Sequence, residues 1–170
     1  MKTRHTPTPL PRSFTAHPDG KGIIAEHDIA VWGHERRGAG RLRAKLLVFK
    51  SPRAMRAFSR KALGIDNDEA VGFVSDLSRE VITIGNIHRP GREHILYVDP
   101  RYFCLICLVR GHLTMDIITH EACHAGIFFS QRSRMRWPNQ DGAASEAICY
   151  PTGRIAAAIN RFLHDSGLYE

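Results

Sequence analysis

Five residues, His120-Glu121-Ala122-Cys123-His124, constrain this chain more than any others. Two imidazoles four positions apart can aim at one ion when the backbone between them is helical, because i and i+4 lie one above the other. The flanking residues agree with a helix: Leu113, Ile117 and the pair Ile118/Ala122 recur at helical spacing, and Gly126 offers a C-terminal stop. Glu121 follows the first histidine directly, so its carboxylate can reach a water on such an ion rather than the ion itself. This H-E-x-x-H arrangement is the pattern that holds Zn2+ between two histidines with a glutamate as general base. A catalytic zinc takes a third protein ligand and keeps its fourth position for water. Glu146 is the preferred third ligand, because residues 143–149 read as the opening of a second helix that could face the first. His164, Asp141 and Cys149 are its rivals.

His120, Glu121, His124 and Glu146 together resemble the short gluzincin pattern of small zinc metallopeptidases, including those found beside phage and mobile-element repressors. The resemblance covers residues 112–150, about a quarter of the chain. It implies a hydrolase that cuts protein amide bonds, with His120, His124 and Glu146 as metal ligands and Glu121 as the catalytic base. It also implies a small zincin-like α+β domain, a short and mainly antiparallel sheet packed on helices that include the motif helix. An edge strand beside the cleft would pair with extended substrate, and residues 81–88 or 93–98 are the expected strand. The string His-Glu-Ala-Cys-His-Ala is similar to that of SprT-like proteases, which cut protein bound to DNA and usually supply a histidine as third ligand. No histidine occurs between His124 and His164, which places that reading second.

At 170 residues and 43% apolar content the chain can bury one core, so a single domain over residues 21–170 is expected. Residues 1–20 hold Pro7, Pro9, Pro11 and Pro18 among polar residues without periodicity and read as a flexible arm. No stretch approaches the length of a membrane span or the apolar core of a signal peptide. Four cysteines at 104, 107, 123 and 149 without an export signal read as reduced thiols in a cytoplasmic setting. Cys104 and Cys107 form a C-x-x-C, but their apolar neighbours Phe103, Leu105, Ile106 and Leu108 favour core packing over metal or redox use.

The net charge of +7 is unevenly placed: residues 1–61 carry 14 Lys/Arg against 4 Asp/Glu, and residues 62–170 carry 10 against 13. A basic N-terminal part could meet nucleic acid, although its aromatic interleaving, Trp32 with Arg36, Arg37, Arg41 and Arg43, is loose. A non-catalytic alternative follows, a zinc-stabilised regulator that binds nucleic acid or protein. Glu121 separates the two classes, since a purely structural site would not require it.

Along the chain, residues 22–32 and 42–49 read as strands, and Ser51 caps a helix with Pro52 at its first position and Met55, Phe58 and Leu63 on its apolar side. Residues 68–77 read as a helix or an irregular connection because Gly72 interrupts them. Residues 81–88 and 93–98 form a hairpin around Pro90-Gly91, and Asp99-Pro100 predicts a buried helix through Tyr102 to Arg110. Residues 130–142 are the expected loop, Pro151 should break or kink the helix beginning near Glu146, and residues 154–164 resume a helical pattern. Tyr150 and His112 are the nearest polar residues for oxyanion stabilisation. Asp116, one turn before His120, is either a partner for an imidazole or a helix N-terminal charge.

Overall fold

A computed structural model describes residues 8–9, 20–32, 42–66, 68–77, 82–84, 94–97, 102–133 and 143–169, without the side chains of 8–9, 82–84, 94–97 and 143–145. Most of the N-terminal arm, the turn at 34–40, the Pro90-Gly91 turn, Asp141 and most of the 130–142 loop lie outside the described residues. In chain order the elements are β1 (Thr8–Pro9), β2 (Ile23–Val31), β3 (Leu42–Phe49), α1 (Pro52–Phe58) with a π-helical turn at Ser59–Leu63, β4 (Gly72–Asp76), β5 (Ile82–Ile84), β6 (His94–Tyr97), β7 (Tyr102–Val109), α2 (Met115–Arg132) and α3 (Ala143–Asp165). The fold is α+β.

Four strands form the main sheet in the order β2-β3-β7-β4. Both outer pairings are antiparallel and the central pairing of β3 with β7 is parallel, so the sheet is mixed. A smaller sheet of order β1-β6-β5 carries the expected hairpin, with Ile82 opposite Leu96 and Ile84 opposite His94. The two-residue periodicity of the strands sends alternate side chains to two separate cores. Ala44, Leu46 and Val48 of β3 and Ile106 and Leu108 of β7 pack with Ile118, Ala122, Ala125 and Phe129 of α2 and Ile155, Ile159 and Leu163 of α3. Leu47, Phe49, Leu105, Cys107 and Val109 meet Met55, Phe58, Ala62 and Leu63 on the opposite face. Ser51 accepts from the Ala54 amide and Pro52 begins α1, as the sequence predicts.

Four expectations are corrected. Residues 102–109 are a strand, not a helix: β7 lies between β3 and β4 and is buried on both faces, so every position from Phe103 to Val109 must be apolar. Such a run carries no alternation from which a strand could be recognised. Residues 72–76 are also a strand, antiparallel to β7 at the sheet edge. Finally, α2 does not stop at Gly126 and α3 does not break at Pro151.

One contact between the helices explains the last correction. A Cβ at Gly126 would fall on Thr152 Oγ1 and within 3.1 Å of the Ile148 carbonyl, so glycine is what permits α2 and α3 to touch. Pro151 has no N–H for the carbonyl of Ala147, four residues earlier. Ser130 Oγ donates to that carbonyl at 2.7 Å from across the helix interface. The hydrogen bond that proline removes is thus replaced by one from α2, and α3 continues as one helix.

Candidate metal centre

His120 and His124 lie on the solvent side of α2, with their Nε2 atoms 3.1 Å apart and their ring planes at 75°. The helix sets this pairing through its i, i+4 geometry, and Ile118, Ala122 and Ala125 anchor the opposite side of α2 in the core. When each neutral ring carries its proton on Nδ1, both Nε2 lone pairs face the same point and can bind one cation. Two nitrogens bound tetrahedrally at Zn–N distances of about 2.0 to 2.1 Å would be roughly 3.3 Å apart. The observed separation fits a shared ion with only slight opening of the pair.

Glu121 faces the other way, toward the sheet, and is 6% exposed. Among the described residues no hydrogen bond reaches its carboxylate. Burial pushes its carboxyl above the ordinary glutamate range, and the charge of His120 offsets part of that rise. Gly72, the first residue of β4, makes room for it: a Cβ there would lie 3.1 Å from Glu121 Oε1 and 3.3 Å from Ile117 Cγ2. The strand and the motif helix therefore approach closely only because position 72 has no side chain. Between them is a cleft of ≈ 360 Å³, walled by Ala70, Val71 and Gly72 on one side and Ile117, His120 and Glu121 on the other, with Glu69 and Asp116 also lining it. The strand bordering the motif helix is β4, whereas β5 and β6 belong to the other sheet. The expectation that residues 81–88 or 93–98 border the cleft is corrected accordingly. Gly72 was read in the sequence only as a weakness in a helix; an isolated glycine among residues of strand character is the signal that could have marked a close approach.

Glu146 occupies the first turn of α3 with its side chain exposed. The bond from Ser130 to the Ala147 carbonyl and the packing of Gly126 against Ile148 and Thr152 show that α2 and α3 run antiparallel. That register sets Glu146 beside Ser130, six residues along α2 from His124. Among the described residues no three His, Cys, Asp or Glu side chains gather as a metal-binding group, so the structure brings His120 and His124 together but not Glu146 with them. Of the rivals, Cys149 is exposed on α3 and His164 is exposed in its last turn, 3.5 Å from Asp165 Oδ1.

Asp116 is fully exposed, and hydrogen bonds from the Thr114 side chain and the first backbone amides of α2 hold its carboxyl below the usual range. It acts as a helix N-terminal charge. The Tyr150 ring lies 5.9 Å from the Arg154 guanidinium, which is 5.0 Å from the Trp32 ring and donates to the Trp32 carbonyl, so Arg154 ties α3 to the end of β2. His112 sits in the turn between β7 and α2, its amide bonded to the Val109 carbonyl. Cys104 and Cys107 are buried thiols whose pKa values burial pushes well up, in keeping with core packing. Among the described residues no helix is long and apolar enough to cross a membrane. No protein-family model, curated protein or solved structure matches the chain.

Proposed function

We propose that this chain is a zinc-dependent peptidase of the gluzincin type, acting on protein in the cytoplasm. The observation that carries the reading is the juxtaposition of two functions on one helix turn. The paired Nε2 atoms of His120 and His124 are set for an ion, and the buried carboxylate of Glu121, free of hydrogen bonds among the described residues, lies beside them on a cleft. A structural metal site needs the first feature but has no use for the second.

His120 and His124 would hold the metal, with Glu146 as the third protein ligand. A bound zinc ion supplies Lewis acidity toward a substrate carbonyl and lowers the pKa of a water nucleophile. Glu121 takes the proton from that water and returns it to the leaving nitrogen. Its raised proton affinity suits both halves of that transfer better than an ordinary surface carboxylate would. Substrate in extended form would lie along β4, which ends the sheet next to α2. The reduced state of Cys104 and Cys107 suits a cytoplasmic location.

The test is zinc-dependent cleavage of an unfolded protein such as casein by the purified chain. Glu121→Gln should abolish cleavage while leaving bound zinc unchanged. Full cleavage by that variant would remove Glu121 from the chemistry and leave a zinc-stabilised regulator as the better reading.

A further inference from the structure

The cleft that Glu121 enters has a chemical bias of its own. Three carboxylates line it, those of Glu69, Asp116 and Glu121, and no described lining residue is lysine or arginine. Glu121 is 6% exposed, it lines the cleft, and its carboxylate has no hydrogen bond among the described residues. A buried acceptor of this kind points to a ligand that brings N–H donors. Among the described residues these carboxylates do not form a metal-binding group. Beside the carboxylates and His120, the lining residues Ala70, Val71, Gly72 and Ile117 are apolar and suit methylene groups.

From this arrangement we propose that the cleft receives a lysine or arginine side chain of a bound polypeptide, its stem against Val71 and Ile117 and its cationic head between Glu69 and Asp116. As a statement of substrate class, the assignment rests on the peptidase reading above. The chemistry is independent of it, since an ammonium or guanidinium group supplies the two things the cleft lacks, positive charge and donors. The wall that would hold the stem is fixed from behind: Arg56 Nε donates to the Ala70 carbonyl at 3.3 Å, tying the approach to β4 onto α1. A cleft of ≈ 360 Å³ has room for one such side chain.

Blocked tripeptides test this directly: acetyl-Ala-Lys-Ala-amide, its isosteric norleucine analogue and its glutamate analogue, each titrated into the 15N-labelled full chain at low salt. The lysine peptide should bind about tenfold more tightly than the norleucine peptide, with the glutamate peptide weakest and with shifts centred on the Gly72 and Ile117 amides. Glu69→Gln, a substitution at an exposed position, should shrink the lysine preference, and Glu69→Gln with Asp116→Asn should remove it. Equal affinity for lysine and norleucine, shifts elsewhere, or a preference untouched by the double variant would overturn the proposal. Hydrolysis of longer zinc-supplemented peptides is scored separately. A lysine preference without any cleavage would defeat the peptidase reading and leave the cation-binding cleft standing; cleavage indifferent to lysine would do the reverse.

Discussion

Two polar clusters of this molecule invite comparison, because the carboxylate of one has a donor on each oxygen and that of the other has none among the described residues. At one end of the main sheet Asp28 of β2 accepts from Lys45 Nζ at 2.9 Å and from the Tyr102 hydroxyl at 2.8 Å, with Arg43 3.7 Å away. The sheet register places Asp28 directly opposite Lys45 and Arg43 opposite Tyr102. Every oxygen of this carboxylate has a donor, although Arg43 Nε in the same cluster is buried without an acceptor among the described residues. On α2 the histidine nitrogens face each other and Glu121 is buried with no hydrogen bond among the described residues. Burying a polar group without a partner costs free energy that the fold must offset elsewhere. A compensated cluster reads as structure, and an uncompensated one beside a cleft reads as a site waiting for its ligand.

The largest expected effect breaks the second cluster. Glu121→Gln should lower peptide turnover by at least about 100-fold, read by a fluorogenic peptide assay, with melting temperature and zinc content unchanged. In the first cluster the same kind of change should act on stability instead. Asp28→Asn leaves Lys45, whose side chain is 8% exposed, without its counter-charge, and should cost about 2 kcal/mol in urea unfolding while zinc binding stays intact. Comparable turnover loss in both variants would erase the distinction between the clusters.

A smaller effect concerns the helix pair that carries the candidate ligands. Ser130→Ala removes the donor that replaces the amide lost at Pro151 and should cost about 1 kcal/mol by the same unfolding measurement. The smallest is the pH dependence of the compensated cluster. Burial alone would raise Asp28, but the hydrogen bonds of Lys45 and Tyr102 and the nearby cationic charges outweigh it and hold its carboxyl below the ordinary value. A depressed carboxylate contributes stability above its unfolded pKa of about 3.9 and loses it as pH falls through the folded value. Tyr102 works at the other end: burial, then the hydrogen bond and charge of Asp28, push its hydroxyl up from 10.0 to about 12. Its contribution is complete below 10.0 and is lost as pH rises toward about 12. Unfolding midpoints across both limbs should therefore flatten at the acid end in Asp28→Asn and at the alkaline end in Tyr102→Phe.

The same contrast explains what could be read from the chain. Amphipathic and capped elements were legible: α1 behind Ser51-Pro52 and α2 around the histidines each bury one side and show it in their spacing, and β3, though buried on both faces, keeps Arg43 and Lys45 in alternation at its start. β7 was not, because a strand covered on both faces has no polar side and resembles a buried helix in one dimension. Gly126 and Pro151 also misled, since their usual local effects are cancelled by a contact between α2 and α3 that only tertiary structure reveals. At the candidate site the i, i+4 rule was enough to pair His120 with His124. The role of Gly72 and the cleft beside Glu121 depended on the pairing of β4 with β7, seen only in the folded chain.

Zinc titration by calorimetry tests the central claim most directly, using the full chain freed of metal by a chelator, alongside His120→Ala, His124→Ala and Glu146→Ala. The account predicts one zinc per chain for the parent protein, loss of binding in each histidine variant, and severe weakening in Glu146→Ala. Absence of zinc binding by the parent chain, or binding that survives replacement of both histidines, would contradict it.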